Sequence, residues 1–161
     1  MRPVQSDAER TDAIAVLAED HRRMRTLFDE FENLPPTAYV RKSKVAAQMI
    51  DLITVHAFIT REVLYPRLTS LIPEIELEGL YDQHSRAEQI ASDLWTMRPE
   101  DGRFADRATA LIAQLRLHLG AQEDVWFPRI VDELEPATLD AIGVELVRAR
   151  RRAPASPQVS G

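Results

Sequence analysis

Apolar side chains return every three or four residues along most of the chain, which is the spacing of one face of an α-helix. The first stripe contains Leu17, Met24 and Phe28 and is interrupted by one polar residue, His21. Glycine occurs only five times in 161 residues, and prolines mark most of the predicted helix ends. The pattern predicts four long helices and a shorter fifth one. Their expected ranges are about 12–33, from 37 through Pro66 towards Pro73, 74–97, 103–134 and 136–152.

The connections between these helices are only a few residues long, so neighbouring helices should run antiparallel. We therefore expect an all-α fold for residues 1–152, an up-down-up-down four-helix bundle with an additional C-terminal helix. A kink or break is expected at Pro66, because proline lacks an amide hydrogen and clashes with the preceding helical turn. The tail 153–161 contains two prolines, two serines and a glycine, and we expect it to be disordered.

Composition narrows the classes of function. The formal net charge of −6 at pH 7 argues against a nucleic-acid-binding protein, which needs a basic face to neutralise phosphates. The absence of cysteine excludes disulfides, thiolate metal ligands and thiol catalysis. No apolar run is long enough to predict a membrane-spanning helix, and the polar first residues do not resemble a secretory signal. These features predict a cytoplasmic protein.

Four histidines occur in the chain, one in each predicted long helix, and each replaces an apolar residue on an inward-facing stripe. They are His21, His56, His84 and His118. Burying an unpaired imidazole costs on the order of 1–3 kcal/mol. Four of them on four helices therefore favour a single site to which all four histidines contribute. Imidazole is the commonest protein ligand of transition metals, and bundle cores often hold such sites. The alternative is four separate core histidines, each hydrogen-bonded to its own neighbour.

The segments around these histidines resemble the haemerythrin-like (HHE) cation-binding family. Residues 20–25 resemble the first histidine segment of that family, 56–66 the second and 81–84 the third. Residues 118–128 repeat the pattern of 56–66, since both begin with a histidine and end with an aromatic–proline pair. The resemblance covers about residues 11–134 and is consistent with an internal duplication. It implies a metal-binding helical bundle, with roles in binding oxygen or nitric oxide, handling peroxide or sensing iron.

The chain departs from this family at two positions where a carboxylate is usual, four residues after the second and the last histidine. Thr60 and Gln122 stand there, and neither supplies an anionic ligand. Without such ligands, a low-dielectric core does not offset the charge of two iron ions. The resemblance leaves three substitutes: Glu123 and Glu88 as carboxylates, and Tyr81 as a phenolate. The alternative for each glutamate is an exposed helix carboxylate.

Three kinds of site therefore remain open. The first is a degenerate non-haem iron site, mononuclear or dinuclear, with the four histidines and Glu123 or Glu88 as ligands. The second is haem, because histidines on facing helices can be axial ligands and the porphyrin brings its own negative charge. Met24 and Met97 add soft side chains to that option. The third is a metal-free interaction module with an unknown protein partner and an arginine-rich end on the fifth helix.

The sequence contains no nucleophile elbow and no phosphate-binding loop, so a dedicated enzyme is not the favoured interpretation. Four histidines without strong carboxylates suit reversible binding or sensing better than oxidative chemistry. We therefore expect a haemerythrin-like metal-binding protein that uses iron. Its expected ligand is a small diatomic molecule or a peroxide, and neither a nucleic acid nor a membrane is an expected partner.

Overall fold

The computed structural model describes residues 12–154, and the regular elements in this range are all helical. The α-helices are α1 (Ala13–Glu32), α2 (Tyr39–Ile59), α3 (Tyr65–Arg67), α4 (Glu74–Trp95), α5 (Gly102–Ala121), α6 (Phe127–Glu133) and α7 (Pro136–Arg150). Two π-helical segments continue the chain between α-helices. They are π1 (Thr60–Leu64), between α2 and α3, and π2 (Gln122–Trp126), between α5 and α6. Most of the tail that we expect to be disordered, residues 155–161, lies outside the described residues.

The helices close into a bundle around one interior. Helix α1 packs against α2, α2 against α4, α4 against α5 and α5 against α1. The additional helix α7 packs along α1 and α2 and also contacts π1. The predicted all-α bundle is confirmed, and α7 is part of the wall of the interior. Among residues 12–154, none of the helices is long and apolar enough to cross a membrane.

The helix ends follow local chemistry, and all but one lie within about two residues of the predicted positions. The exception is the second long helix, which ends at Arg67 and does not continue towards Pro73. The Asp12 carboxylate accepts a hydrogen bond from the Ala15 amide at 2.8 Å and caps the first turn of α1. Asp101 caps α5 in the same way through the Arg103 amide at 2.9 Å. Pro136 is the first residue of α7, a position at which the missing amide hydrogen has no intrahelical partner to lose.

Pro66 and Pro128 follow the two π segments, each as the second residue of the next α-helix. Proline lacks an amide hydrogen and its ring meets the carbonyl four residues earlier, which a regular α-helix does not accommodate. A π segment adds one residue to the preceding turn and changes the position of that carbonyl. The chain therefore remains helical past both prolines, to Arg67 and Glu133. The kink or break expected at Pro66 takes the form of this π segment.

The interior contains two apolar clusters with a polar layer between them. Along α1, Leu17 belongs to one cluster and Met24 to the other, with His21 between them. The same change of cluster occurs at or next to the histidine of each other long helix. The four histidines therefore lie at one level of the bundle, which separate core histidines would not require.

The extra residue of π2 changes which side chains face the core. The α-helical spacing predicts Val125 on the inward stripe of the fourth long helix, but Val125 is 50% exposed. Trp126 takes the buried place instead. A five-residue π segment explains the error, because a strict 3.6-residue period no longer holds across it.

Candidate metal centre

The four histidines are brought together in one buried layer, and each has at most 1% of its surface exposed. The closest rings are those of His84 and His118, whose centroids are 4.3 Å apart. The rings of His21 and His56 are 5.1 Å apart. His56 connects the two pairs, since its centroid lies 6.3 Å from that of His118 and 6.4 Å from that of His84. The imidazoles from four helices thus share one small volume of the core.

Three of the histidines have their Nδ1 atom next to an oxygen at the outside of the layer. The pairs are His21 with Glu123 Oε1 at 2.9 Å, His56 with Asp20 Oδ2 at 3.5 Å, and His118 with Gln83 Oε1 at 2.9 Å. An acceptor beside Nδ1 favours the tautomer with its proton there. The Nε2 lone pair of each ring is then directed away from that acceptor, which is the usual arrangement of metal-binding histidines.

Gln122 and Tyr65 occupy the inside of the layer. The Gln122 Oε1 atom lies 2.9 Å from His21 Nε2 and 3.3 Å from His56 Nε2. The Gln122 Nε2 atom lies 3.0 Å from the Tyr65 hydroxyl, which is 2.6 Å from His84 Nε2. These contacts join residues of α1, α2, α3, α4 and π2 into one buried polar network.

Burial keeps three of the imidazoles, those of His21, His84 and His118, uncharged at neutral pH. It lowers the pKa of His21 to about 4, with His56 adding to the effect and Glu123 opposing it. It lowers the pKa of His118 to about 3, and His56 and His21 act in the same direction. Burial, together with His118 and His56, also holds the pKa of His84 well below its usual value. Each of these three rings therefore carries a single N–H at neutral pH.

A neutral His21 lies between two oxygens, those of Glu123 and Gln122, but has only one hydrogen to donate. The conflict disappears when the Gln122 amide faces the imidazoles with its nitrogen, because the two ends of an amide have nearly the same shape. Its two N–H groups then donate to Nε2 of His21 and of His56. The Nδ1–H groups of the same rings donate to their carboxylates.

Tyr65 extends this assignment to the second pair of histidines. Its hydroxyl donates to the Gln122 oxygen, and its own oxygen accepts from His84 Nε2–H. Two imidazole nitrogens have no hydrogen-bond partner among the described residues, Nδ1 of His84 and Nε2 of His118, and both are then lone pairs. Buried acceptors on adjacent rings without a donor are rare in proteins, and a transition-metal cation is the partner that suits them.

Comparison with known proteins places the chain in a family. The sequence profile of the hemerythrin HHE cation binding domain matches residues 12–130. This chain belongs to the haemerythrin HHE cation-binding domain family. A crystal structure of an HHE cation-binding domain-containing protein from Mycobacterium kansasii has the same fold, with a TM-score of 0.74 and 16% sequence identity. The match covers 88% of this chain and 86% of that one.

A relative with a different name also aligns with the chain. It is a DNA nickase from Nostoc sp. (strain PCC 7120), 24% identical over 147 residues. The match covers 91% of this chain but 41% of the nickase. The chain therefore spans less than half the length of that relative, and the likeness concerns one part of a longer protein.

The two positions where carboxylates are usual in the HHE family are the first residues of π1 and π2. Thr60 is buried, but its hydroxyl donates to the backbone carbonyls of His56 at 2.9 Å and Ala57 at 3.1 Å. Gln122 does reach the centre of the histidine layer, as a neutral amide. The haemerythrin-type site of this chain therefore has no carboxylate at either position.

Glu123 is brought to the histidine layer, on its outer side. Its carboxylate contacts His21 Nδ1 and forms a two-point ion pair with Arg25, at 2.5 and 2.8 Å. Partial burial raises the pKa of Glu123, but the hydrogen bonds from Arg25 and His21 outweigh it, and the pKa lies below its usual value. Glu123 is therefore ionised and already paired, which suits it to orient a histidine.

Glu88 is directed elsewhere. It is buried, with 3% of its surface exposed, and its carboxylate is 2.5 Å from an Arg61 guanidinium nitrogen. The alternative of an exposed carboxylate is therefore wrong for this residue. Its charge is balanced by Arg61, so it adds no net anion to the centre.

The phenol of the centre is Tyr65, whereas the sequence suggested Tyr81. Tyr81 is 38% exposed, and its ring packs edge-to-face with that of Tyr65 at a centroid distance of 5.4 Å. Tyr65 is fully buried against His84, and burial raises its pKa above the usual value. The available signal was the aromatic–proline pair at the end of the second segment, of which Tyr65 is the aromatic member.

The packing of the layer favours a non-haem site over haem. The imidazoles contact one another, Gln122 and Tyr65 directly, so a porphyrin would require the helices to separate. Met24 lies in the apolar cluster beside the layer. Met97 lines a surface cavity of about 920 Å³, together with charged residues such as Asp93 and Arg107 and without any of the four histidines.

The side chains of the layer are chemically suited to bind a metal ion, but their present spacing does not form a binding site. Four imidazoles and two unpartnered lone pairs are the donor set that iron, copper or zinc accepts. Within residues 12–154, however, no three histidine or carboxylate side chains already surround a point at which an ion would bind. Gln122 and Tyr65 instead contact Nε2 of His21, His56 and His84, so binding through those nitrogens would require the two side chains to release them.

Proposed function

We propose that this haemerythrin-type bundle binds one iron ion in the histidine layer, through imidazole nitrogens, and uses it for reversible binding or sensing of a small ligand. The ligand class is dioxygen, nitric oxide or a peroxide. The observation that carries the proposal is the pair of buried, unpartnered nitrogens on the adjacent rings of His84 and His118. Leaving such acceptors unsatisfied costs roughly 1–3 kcal/mol each, which a bound cation recovers.

The charges around the layer support one ion rather than two. The carboxylates beside the histidines, Asp20 and Glu123, are paired with Arg150 and Arg25. The inner side chains Gln122 and Tyr65 are neutral. Two iron ions would bring four or more positive charges into a core whose surrounding charges already cancel.

Iron held by these imidazoles would supply an exchangeable coordination position for a diatomic molecule or a peroxide. The chain's own residues set the surroundings of that position. The Gln122 amide and the Tyr65 hydroxyl can donate or accept hydrogen bonds there. The apolar clusters above and below the layer exclude water, which would limit competition of water with a bound ligand.

The experiment restores the missing carboxylates. Ferrous iron is added anaerobically to the wild type and to a Thr60→Glu, Gln122→Glu double variant, and binding is followed by equilibrium dialysis. We expect one ion per wild-type chain, a nitric-oxide-dependent optical change that reverses on removal of the gas, and tighter binding with a second ion in the double variant.

The matched control is Val125→Glu, which adds a carboxylate to π2 at a half-exposed position outside the layer. It should bind iron as the wild type does. Iron binding and spectra that are the same in the double variant and the wild type would contradict the proposal, because the carboxylates would then not limit the site.

A metal-free interaction module is the second candidate, and one observation favours it. The contacts among Gln122, Tyr65 and the histidines satisfy most polar atoms of the layer without an ion. On that account the network fixes the packing of the bundle, and the function lies on its surface. The absence of iron binding in the same dialysis experiment would support this candidate.

A further inference from the structure

Two arginines stand behind the histidine layer, each in contact with a carboxylate that faces one imidazole. We propose that Arg25 and Arg150 are positioning residues that fix the orientations of His21 and His56. Each would act through its carboxylate, so that both imidazoles direct Nε2 to the same point beside Gln122. This inference rests on the proposed function only for its effect on metal binding.

We call each series of contacts from arginine through carboxylate to imidazole a relay, and the first relay runs from Arg25 through Glu123 to His21. Two guanidinium nitrogens of Arg25 contact the two Glu123 oxygens at 2.5 and 2.8 Å, and Glu123 Oε1 lies 2.9 Å from His21 Nδ1. A two-point guanidinium–carboxylate contact fixes the plane of the carboxylate as well as its place. The oxygen beside His21 is therefore held in one position.

The second relay runs from Arg150, near the end of α7, to His56. The Arg150 guanidinium lies 3.0 Å from Asp20 Oδ1 and 3.2 Å from Asp20 Oδ2. Asp20 Oδ2 lies 3.5 Å from His56 Nδ1, at the outer limit of a hydrogen bond. The shorter contacts to Arg150 therefore determine where this carboxylate stands, and His56 follows it.

Burial makes the Asp20 carboxylate depend on its arginine. Asp20 is 2% exposed, and a buried carboxylate without a cation is strongly unfavourable. Arg150 is the cation beside it, and it comes from a different helix than Asp20 or His56. The structure thus gives the C-terminal helix α7 a direct connection to the interior site.

The two inner contacts show the result of the two relays. The Nε2 atoms of His21 and His56 lie 2.9 and 3.3 Å from the same Gln122 atom, although the rings come from different helices. A ring rotated about its Cβ–Cγ bond would exchange its nitrogens with carbons and lose this convergence. Residues that orient a metal ligand without binding the metal themselves commonly affect metal affinity by about 10–100-fold.

The experiment measures histidine tautomers in the metal-free protein at neutral pH by ¹⁵N NMR of the imidazole rings. We expect the Nδ1–H tautomer for both His21 and His56 in the wild type. Arg25→Gln should disturb the tautomer of His21 and leave His56 unchanged, and Arg150→Gln should do the reverse. The matched control is Arg148→Gln, at an exposed arginine of the same helix as Arg150, which should change neither.

Each outcome bears on the relays. An Nε2–H tautomer at both rings of the wild type would overturn the proposal without any variant. Unchanged tautomers in Arg25→Gln and Arg150→Gln, even with lowered melting temperatures, would reduce the arginines to a structural role and also overturn it. Arg150→Lys, which keeps the charge, should restore the His56 tautomer.

Ferrous iron affinity is then measured separately on the same variants. A loss of about 10–100-fold in Arg25→Gln and Arg150→Gln, with no loss in Arg148→Gln, is the expected result. If the wild type binds no iron, the proposed function fails, while the tautomer result still decides whether the relays exist.

Discussion

At the scale of single residues, the four histidines are not equivalent. His21 and His56 have oxygens or amide groups beside both ring nitrogens, whereas His84 and His118 each keep one buried nitrogen without a partner in residues 12–154. The sequence treats them alike, because each simply interrupts an apolar stripe. Their hydrogen bonds divide them into two rings with partners at both nitrogens and two rings with a partner at only one nitrogen.

His118 is therefore the position at which a leucine should be tolerated without metal. We expect His118→Leu to raise the free energy of unfolding of the chelator-treated protein by about 1 kcal/mol, because an unsatisfied buried acceptor is removed. The lost contact with Gln83 costs little, since Gln83 is partly exposed and can bind water instead. With ferrous iron present the variant should be the less stable protein, since it loses stabilisation by the bound ion. Melting temperatures with and without chelator measure both effects.

His56→Leu is the matched comparison and should destabilise even the metal-free protein. It leaves Asp20 and Gln122 without an imidazole in a buried site. Equal effects of the two substitutions in the metal-free protein would show that the difference in hydrogen bonding has no energetic weight.

The histidines could be predicted from the sequence, but their partners could not. Asp20 precedes His21 in the chain yet contacts His56, and Gln83 precedes His84 yet contacts His118. These pairs depend on how the helices face one another. A spacing rule applied within a single helix contains no information about that.

At the scale of elements, the two π segments carry the residues that distinguish this site, Thr60 and Gln122. Each begins four residues after a histidine and ends just before an aromatic–proline pair. Both prolines, at 66 and 128, were visible in the sequence, but a disturbed helix was expected only at Pro66. The form of the disturbance was not visible, because a kink, a break and an inserted residue all relieve the same clash.

Thr60 should contribute to the stability of π1 through its hydroxyl. It donates to the carbonyls of His56 and Ala57 where the α-helix changes to a π segment. We expect Thr60→Val, which has the same shape without the donor, to lower the free energy of unfolding by about 1–2 kcal/mol. Urea unfolding of the metal-free protein measures the change.

Thr60→Ser keeps the hydroxyl and loses only a methyl group, so it is the control for the donor. It should retain most of the stability that Thr60→Val loses. A valine variant as stable as the wild type would mean that the backbone of π1 needs no help from this side chain.

At the scale of the whole molecule, burial of neutral histidines makes stability depend on pH. The pKa of His21 is lowered from 6.5 to about 4 and that of His118 from 6.5 to about 3. Below pH 6.5 the unfolded chain therefore binds protons at these histidines that the folded protein does not bind. Stability is highest above pH 6.5 and falls as the pH decreases towards 4 and 3.

We expect metal-free protein to lose about 1 kcal/mol per pH unit, and at most about 1.4, for each such histidine between pH 6 and 4.5. Asp20 and Glu123, whose pKa values are lowered by His56, Arg150 and Arg25, act in the same direction at still lower pH. Urea unfolding at several pH values gives the slope. His118→Leu should reduce this slope by the contribution of one histidine. An identical slope in the variant would contradict the lowered pKa of His118.

The bundle as a whole followed from the sequence more completely than the site did. Periodicity and short loops sufficed for helix number and order, because burying one apolar face per helix allows few arrangements. The position of α7 against α1 and α2 was not evident from the sequence. The contact between Arg150 and Asp20, which depends on that position, was therefore not evident either. That contact joins residues 130 positions apart, and nothing local predicts it.

The most direct test of the central claim is the metal content of untagged protein from iron-supplemented cells, measured by mass spectrometry together with an optical spectrum. The account predicts about one iron per chain, without a Soret band and without strong near-ultraviolet bands of an oxo-bridged pair. Two irons with such bands, or a Soret band, would contradict it. So would a protein that takes up no metal even after anaerobic reconstitution with ferrous iron.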